Sequence, residues 1–242
     1  MTTENELAAA LAAAQSAGTK SVDQSAYATL DRAGAYRVQL ATAKALGVEP
    51  AMLKVAVAPD KIGSVAPIYA GRVGDSRKTR LPSANVTGLE VEVGVELKSD
   101  LPPGSDAAAV EAAVGRYYMG IEVCGTRYAD RTKSAYDVGL ADNMSAFGYV
   151  IDQSTWEHDG NLEGLHIVLT FNGETIWDKP AKHGFGTVLA SVIAYAALPE
   201  QPYPLKAGTL VTTGSLCGLV QTSGPGKGVA KMGGHTVEVE LI

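Results

Sequence analysis

The run Leu89-Glu90-Val91-Glu92-Val93-Gly94-Val95-Glu96-Leu97 constrains this chain more than any other segment. Side chains alternate across a β-strand, so the valines share one face and Glu90, Glu92 and Glu96 the other. That period of two excludes an amphipathic helix here. The carboxylate face needs solvent, hydrogen-bond donors or a cation.

Around this strand the chain divides into an early helical part and a later β-rich part. Leu7 to Ser16 consists of strong helix formers and is stopped by Gly18. A second helix is predicted from Ser25 to about Leu46, weakened by Gly34 and followed by Gly47. Met52 to Val57 reads as a strand closed by Pro59-Asp60, and residues 71–83 as a polar loop bearing Asp75, Arg77, Lys78 and Arg80. Asp106 can cap a helix through Ala107 to Arg116, and strands follow at Tyr118 to Val123 and Phe147 to Ile151. Asn172-Gly173 joins a hairpin of His166 to Phe171 and Glu174 to Trp177. Gly184 to Leu198 is long enough for a buried helix. Short β runs at Thr209 to Thr213, Leu216 to Gln221 and Thr236 to Leu241 surround a Gly-rich loop. The pattern predicts an α+β fold with a mixed β-sheet core.

Composition narrows the function classes. With 46% hydrophobic and 19% charged residues, the 242-residue chain is globular, and its net charge of −6 argues against a general nucleic-acid binder. Cys124 and Cys217 are too few for a disulfide scaffold or a four-cysteine zinc site and read as small apolar core residues. His158, His166, His183 and His235 lack zinc-type spacing and read as surface or turn residues. The longest uncharged stretch, Gly184 to Pro199, falls short of the ~20 residues that span a bilayer. Glu4 and Glu6 stand where a secretory leader would be basic, so the expectation is a cytoplasmic protein with no membrane partner.

Two readings of the acidic strand stay open on the residues alone. Glu90 and Glu92 point the same way and can reach one hard cation, while Glu96 in the same register suits a solvated strand face. Glu122 lies in the otherwise apolar run Tyr118 to Cys124 and needs a partner, with Arg127 as the alternative to a cation. Lys54 by itself is an ordinary strand lysine reaching for solvent. Asp75 is either a surface partner of a neighbouring arginine or a catalytic group. Ser223 to Gly228 superficially resembles a phosphate loop, but Gln221 and Gly228 stand at its required positions, and it reads as a tight turn.

Taken in order, Glu90-Val91-Glu92, Ile121-Glu122-Val123-Cys124-Gly125-Thr126-Arg127, Ala141-Asp142-Asn143-Met144-Ser145, Lys206-Ala207-Gly208-Thr209 and Thr213-Gly214-Ser215-Leu216 resemble the 2-oxopent-4-enoate hydratase and 4-oxalocrotonate decarboxylase family of the fumarylacetoacetate hydrolase superfamily. The resemblance extends to Pro225-Gly226 and Gly233-Gly234 and covers the chain from about the second helix onward. It implies N-terminal helices, residues 1–50, on a mixed, strongly bent β-sheet roll, residues 51–242, that binds metal and forms one structural unit with them. It also implies a Mg²⁺ or Mn²⁺ ion held by Glu90, Glu92 and Glu122. Lys54, Asp75 and Ser145 are the implied catalytic residues, and Arg72, Thr213 and Gly214 the substrate contacts.

The implied substrate is a short unsaturated 2-oxo acid, and the implied reaction is hydration of a 2-hydroxy-2,4-dienoate to a 4-hydroxy-2-oxo acid, as in aromatic-compound degradation. Decarboxylation of a 2-oxo-hexenedioate is the first alternative, since Pro67-Ile68-Tyr69, Gly208-Thr209 and the basic loop look closer to decarboxylases. Hydrolysis of an acylpyruvate ranks third, because that branch commonly has Asp where this chain has Glu122. A non-catalytic partner subunit is the reading from another class. The resemblance further implies a homo-oligomer, at least a dimer, and complexes with a pathway decarboxylase or aldolase. The chain departs from the family in the basic residues of its Arg72 to Arg80 loop and at Gly184-Phe185-Gly186. The loop's charges could meet a second substrate carboxylate.

Overall fold

A computed structural model describes residues 3–242. Two helices open the chain, α1 (Thr3–Ala17) and α2 (Arg32–Leu46), followed by strands β1 (Pro50–Val57), β2 (Gly63–Tyr69), β3 (Val73–Asp75), β4 (Arg80–Leu81) and β5 (Val86–Leu97). Then come α3 (Ala107–Ala113), β6 (Val114–Gly125), α4 (Tyr136–Ala141), β7 (Ala146–Ile151), β8 (His166–Phe171), β9 (Glu174–Pro180) and α5 (Ala190–Ala196). Strands β10 (Leu210–Thr212), β11 (Val220–Gln221), β12 (Gly226–Met232) and β13 (His235–Leu241) complete it.

The larger sheet has eight strands along the path β2-β1-β10-β5-β6-β7-β3, with β11 also paired to β5. It is mixed: β1 runs parallel to β10 and β3 to β7, while β5, β6 and β7 are antiparallel. Although distant along that path, β2 and β7 touch, so the sheet curls into a half-barrel. A five-stranded sheet, β4-β13-β12-β8-β9, packs on its outside. The α+β fold with a strongly bent mixed sheet is thus the one observed.

The alternation in β5 explains the layering. Leu89, Val91 and Val93 join Ile121 and Val123 of β6 and meet Ile167, Leu169, Val237 and Val239 of the outer sheet in the main apolar cluster. The opposite face lines the inside of the curl, where Met52, Ile68, Tyr118, Tyr149 and Ile151 form an apolar floor. Tyr118 and Tyr149 meet edge to face at 6.2 Å between ring centroids. Their bulk accounts for two strand glycines, because a Cβ at Gly94 would run into the Tyr118 ring and one at Gly120 into that of Tyr149. Helices α1 and α2 bury Leu7, Leu11, Ala35 and Val38 against Tyr128, Val138 and Leu140. Among the described residues no helix is long and apolar enough to cross a membrane.

Several boundaries differ from expectation. The single helix predicted from Ser25 breaks, because Asp31 accepts a hydrogen bond from Gly34 N at 2.7 Å and caps a new helix at Arg32. The helix after Asp106 ends at Ala113, where Val114 turns extended and begins β6. The buried helix expected over Gly184 to Leu198 contracts to Ala190–Ala196, behind a turn around Gly186 at φ +93°. The Gly-rich segment expected as a loop contains β12, paired through Met232↔His235 with β13.

Candidate metal centre

The acidic face of β5 and its neighbour in β6 converge inside the curl. Register places Glu90 opposite Glu122 and Glu92 opposite Gly120, so the three carboxylates share one face of two paired strands. Glu92 and Glu122 are 0% exposed. Glu96, in the same register, sits at the strand end and pairs with Arg116 at 2.6 Å. The solvated-face reading therefore holds for Glu96 and fails for Glu92.

Lys54 reaches this cluster from β1. The parallel pairing Lys54↔Thr212 and the antiparallel pairing Val211↔Val95 carry β1 to β5 through β10. Lys54 Nζ donates to Glu122 Oε1 at 2.6 Å and lies 3.8 Å from Glu90 Oε2, with its side chain only 12% exposed. It is thus not a lysine reaching for open solvent. Arg127, the alternative partner for Glu122, is taken by Asp142 in a buried ion pair, to which Thr126 Oγ1 donates a further hydrogen bond at 2.6 Å.

Burial sets the electrostatics. It pushes the Glu92 carboxyl well above the usual range, and repulsion from Glu122 and Glu90 adds to the effect. Burial likewise raises Glu122, although the Lys54 ammonium pulls it back. For Lys54, burial works against the charge, but Glu122, Glu90 and Glu92 outweigh it and hold the ammonium well above the ordinary lysine value. Two carboxylate oxygens remain unsatisfied: Glu92 Oε1 and Glu122 Oε2 are buried and have no hydrogen-bond partner. Glu92 Oε2 accepts only a 3.3 Å bond from Gly214 N. One ligand atom each from Glu90, Glu122 and Cys124 lie within 4.8 Å of one another, a donor set able to hold a metal ion. Two buried oxygens without a donor fit a dication, in place of the proton that the raised Glu92 carboxyl would otherwise share with Glu122.

A cavity of about 710 Å³ opens beside the cluster, with Lys54 in its wall and Arg131, Tyr136, Met144 and Phe185 around it. Met144 belongs to a turn in which Asn143, Met144 and Ser145 all have positive φ, at 54°, 50° and 64°. Non-glycine residues rarely take that conformation, and the Asp142–Arg127 pair anchors the segment. Gly214 has φ +122°, and a Cβ there would lie 2.8 Å from the Phe185 ring. The Thr213 hydroxyl is committed, donating to Val93 O at 2.6 Å. His183 is buried in the turn that carries Phe185, where its Nδ1 accepts from Phe185 N at 3.1 Å, and burial lowers its pKa to about 4.

Other expected site residues lie elsewhere. Asp75 lines a separate polar cleft of about 360 Å³, where it accepts from Gln153 Nε2 at 2.7 Å and pairs with Lys78 at 3.3 Å. The Arg72 guanidinium stacks 4.2 Å from the centroid of Phe147. The remaining cations of the basic loop face the last strand: Arg77 pairs with Glu238 at 3.2 Å and Arg80 with Glu240 at 2.9 Å. Arg77 thereby ties the loop after β3 to the outer sheet, while Arg80 pairs within that sheet, from β4 to its neighbour β13. The guanidinium in the cavity is instead Arg131, which sequence reasoning missed because it lies in an irregular loop turn, Arg131–Lys133. Its Nε is buried without a hydrogen-bond partner, and it makes no ion pair among the described residues.

No family profile and no curated protein sequence matches the chain. Among solved structures, it is similar over 100% of its length to 99% of the 4-oxalocrotonate decarboxylase of Pseudomonas putida G7 complexed with magnesium and adipate, with TM-score 0.74 and 19% identity. The same enzyme complexed with calcium and acetate gives TM-score 0.73 and 20% identity over the same shares of the two chains. A 5-carboxymethyl-2-hydroxymuconate delta-isomerase from Mycobacterium smegmatis follows with TM-score 0.56 and 12% identity, over 81% of this chain and 80% of that one. The chain therefore shares the fold of these structures, and at these identities the likeness is one of fold alone.

Proposed function

We propose that this chain is a divalent-metal-dependent lyase acting on a short unsaturated 2-oxo acid, hydrating a 2-hydroxy-2,4-dienoate to a 4-hydroxy-2-oxo acid. The observation that carries the reading is the pair of buried, unpartnered oxygens, Glu92 Oε1 and Glu122 Oε2, beside Lys54 in a cavity wall. Buried carboxylate oxygens without partners are costly, and a dication would compensate both. Glu90, Glu92 and Glu122 would hold it, and hard oxygen donors suit Mg²⁺ or Mn²⁺. When bound, the ion supplies Lewis acidity that favours negative charge on the substrate's 2-oxygen.

The chain's own groups do the rest. Lys54, held as an ammonium, offsets the surplus negative charge of three carboxylates around a dication and attracts an anionic substrate. Its resting form is a proton donor. Gly214 N orients Glu92. Ser145 contributes a hydroxyl from the turn whose Met144 lines the cavity. Arg131, also in the cavity wall, would meet a second anionic group of a longer substrate.

Decarboxylation of a 2-oxo-hexenedioate is the second reading, favoured by the apolar wall of Ala56, Val57, Ala58 and Phe185. A carboxylate pressed against such a wall loses solvation and is disposed to leave as CO₂. Incubation of the metal-loaded protein with dienoates, 2-oxo-hexenedioates and acylpyruvates, followed by product identification and CO₂ detection, tests the proposal. Hydrated product without CO₂ supports the first reading, CO₂ release the second, and C–C hydrolysis the acylpyruvate alternative. Metal binding with no turnover on any of them would favour a non-catalytic partner subunit. The same reading carries a homo-oligomer, at least a dimer, which light scattering at micromolar concentration checks.

A further inference from the structure

The carboxylate cluster contains a sulfur atom that the reading above does not use. Glu122 and Cys124 are two apart on β6 and therefore share a face, and register sets Glu122 opposite Glu90. The Cys124 Sγ and one oxygen each of Glu90 and Glu122 lie within 4.8 Å of one another.

Expected as a small core residue, Cys124 is 3% exposed, yet it belongs to none of the apolar clusters formed by the described residues. The other free cysteine shows what packing looks like here. Cys217 sits in the main apolar cluster, and its Sγ accepts from Val91 N at 3.4 Å. Cys124 Sγ makes no hydrogen bond among the described residues, and what it faces is charged: Glu90, Glu122 and Lys54.

The second observation is independent of the thiol. Glu122 is fully buried, and its Oε2 has no partner. A cation bound there by Glu90 and Glu122 lies within reach of the Cys124 sulfur. Oxygen ligands alone suit Mg²⁺, whereas a thiolate among them shifts preference toward transition-metal dications.

We propose that Cys124 is a sulfur ligand to the cation held by Glu90 and Glu122, so that the site takes a thiophilic transition-metal dication such as Co²⁺ or Zn²⁺ in preference to Mg²⁺. The inference rests on the metal-site reading above and deepens it. Ligation breaks the S–H bond, forms one metal–sulfur bond and releases one proton to solvent, with no change in oxidation state.

Co²⁺ is the probe, because sulfur ligation adds an intense near-ultraviolet charge-transfer band that carboxylates do not produce. The full-length chain, stripped of metal, is titrated with Co²⁺ and separately with Mg²⁺, alongside Cys124→Ser, Cys124→Ala and the control Cys217→Ala. The wild type and Cys217→Ala should show the band. Both Cys124 variants should lose it and bind Co²⁺ at least about tenfold more weakly, on the scale by which metal sites register lost partners, while Mg²⁺ affinity stays level. The wild-type spectrum decides by itself should a variant fail to fold. Co²⁺ binding without the band in the wild type overturns sulfur ligation and leaves the metal centre standing. Failure of the wild type to bind either ion overturns both.

Discussion

Replacing Lys54 by methionine removes one charge from a buried cluster of carboxylates while preserving most of the side chain's volume. Lys54 Nζ lies 2.6 Å from Glu122 Oε1 and 3.8 Å from Glu90 Oε2. At an effective dielectric constant of about 20, these separations correspond to gross attractions of about 6 and 4 kcal/mol. The lysine's own desolvation cancels several kcal/mol of that, and the carboxylates left behind take up protons in place of the lost cation. Removing one member of a buried ion pair in this way costs about 3–5 kcal/mol. Lys54→Met should therefore lower the unfolding free energy by that amount at pH 8 in the presence of a chelator.

The sign with pH follows from the carboxylates. Burial already raises Glu92 and Glu122 above their unfolded values, and losing Lys54 raises them further. A carboxyl with a raised folded pKa leaves stability intact below its unfolded pKa and erodes it as pH rises. The deficit should shrink toward pH 5 and be full at pH 8. A dication should also shrink it by supplying the missing positive charge. Metal at 100 times its dissociation constant adds about 2.7 kcal/mol to a protein, and the gain should be larger in Lys54→Met than in the wild type. Urea unfolding at pH 5 and pH 8, with chelator and with saturating Mn²⁺, measures all four conditions. A deficit below about 1 kcal/mol at pH 8, or one indifferent to both pH and metal, would refute the charge argument for the cluster.

Glu92→Gln should weaken divalent-metal affinity by more than the roughly 10–100-fold that outer partners of a metal site command, without unfolding the protein, because the amide oxygen still accepts from Gly214 N. Glu96→Gln breaks only a half-exposed pair with Arg116, worth about 0–1 kcal/mol, and should leave calorimetric metal titration unchanged. Arg131→Met should lower kcat/KM for a dicarboxylic substrate by about 10–150-fold, the equivalent of a charge-assisted hydrogen bond of roughly 1.5–3 kcal/mol. It should spare a monocarboxylic substrate in the same steady-state assay. His183, lowered from 6.5 to about 4, is kept neutral by burial. Its contribution is whole above pH 6.5 and falls away toward pH 4, by up to about 3 kcal/mol. His183→Asn should flatten urea-unfolding stability across that window relative to the wild type.

What was legible in the sequence follows the range over which each interaction is encoded. The carboxylate face of β5 is local, since Glu90 and Glu92 are fixed to one side by the period of the strand itself. So is the placing of its valines on the opposite face, although the outer sheet that covers them was not foreseen. Lys54 is a different case: its partner Glu122 lies 68 residues away and is reached through β10, a three-residue strand that arrives near the end of the chain. No local pattern announces that pairing, and a solitary strand lysine reads as solvated. The basic loop misleads for the same reason, because the carboxylates that neutralise Arg77 and Arg80 lie about 160 residues later, in β13. With those cations paired to β13, the guanidinium that lines the cavity is that of Arg131, a residue in an irregular turn with no periodicity to mark it. Local patterning therefore indicates which groups can face inward, and topology decides which of them meet. The cations of the cavity wall, Lys54, Lys61 and Arg131, come from separate segments of the chain and meet only through topology.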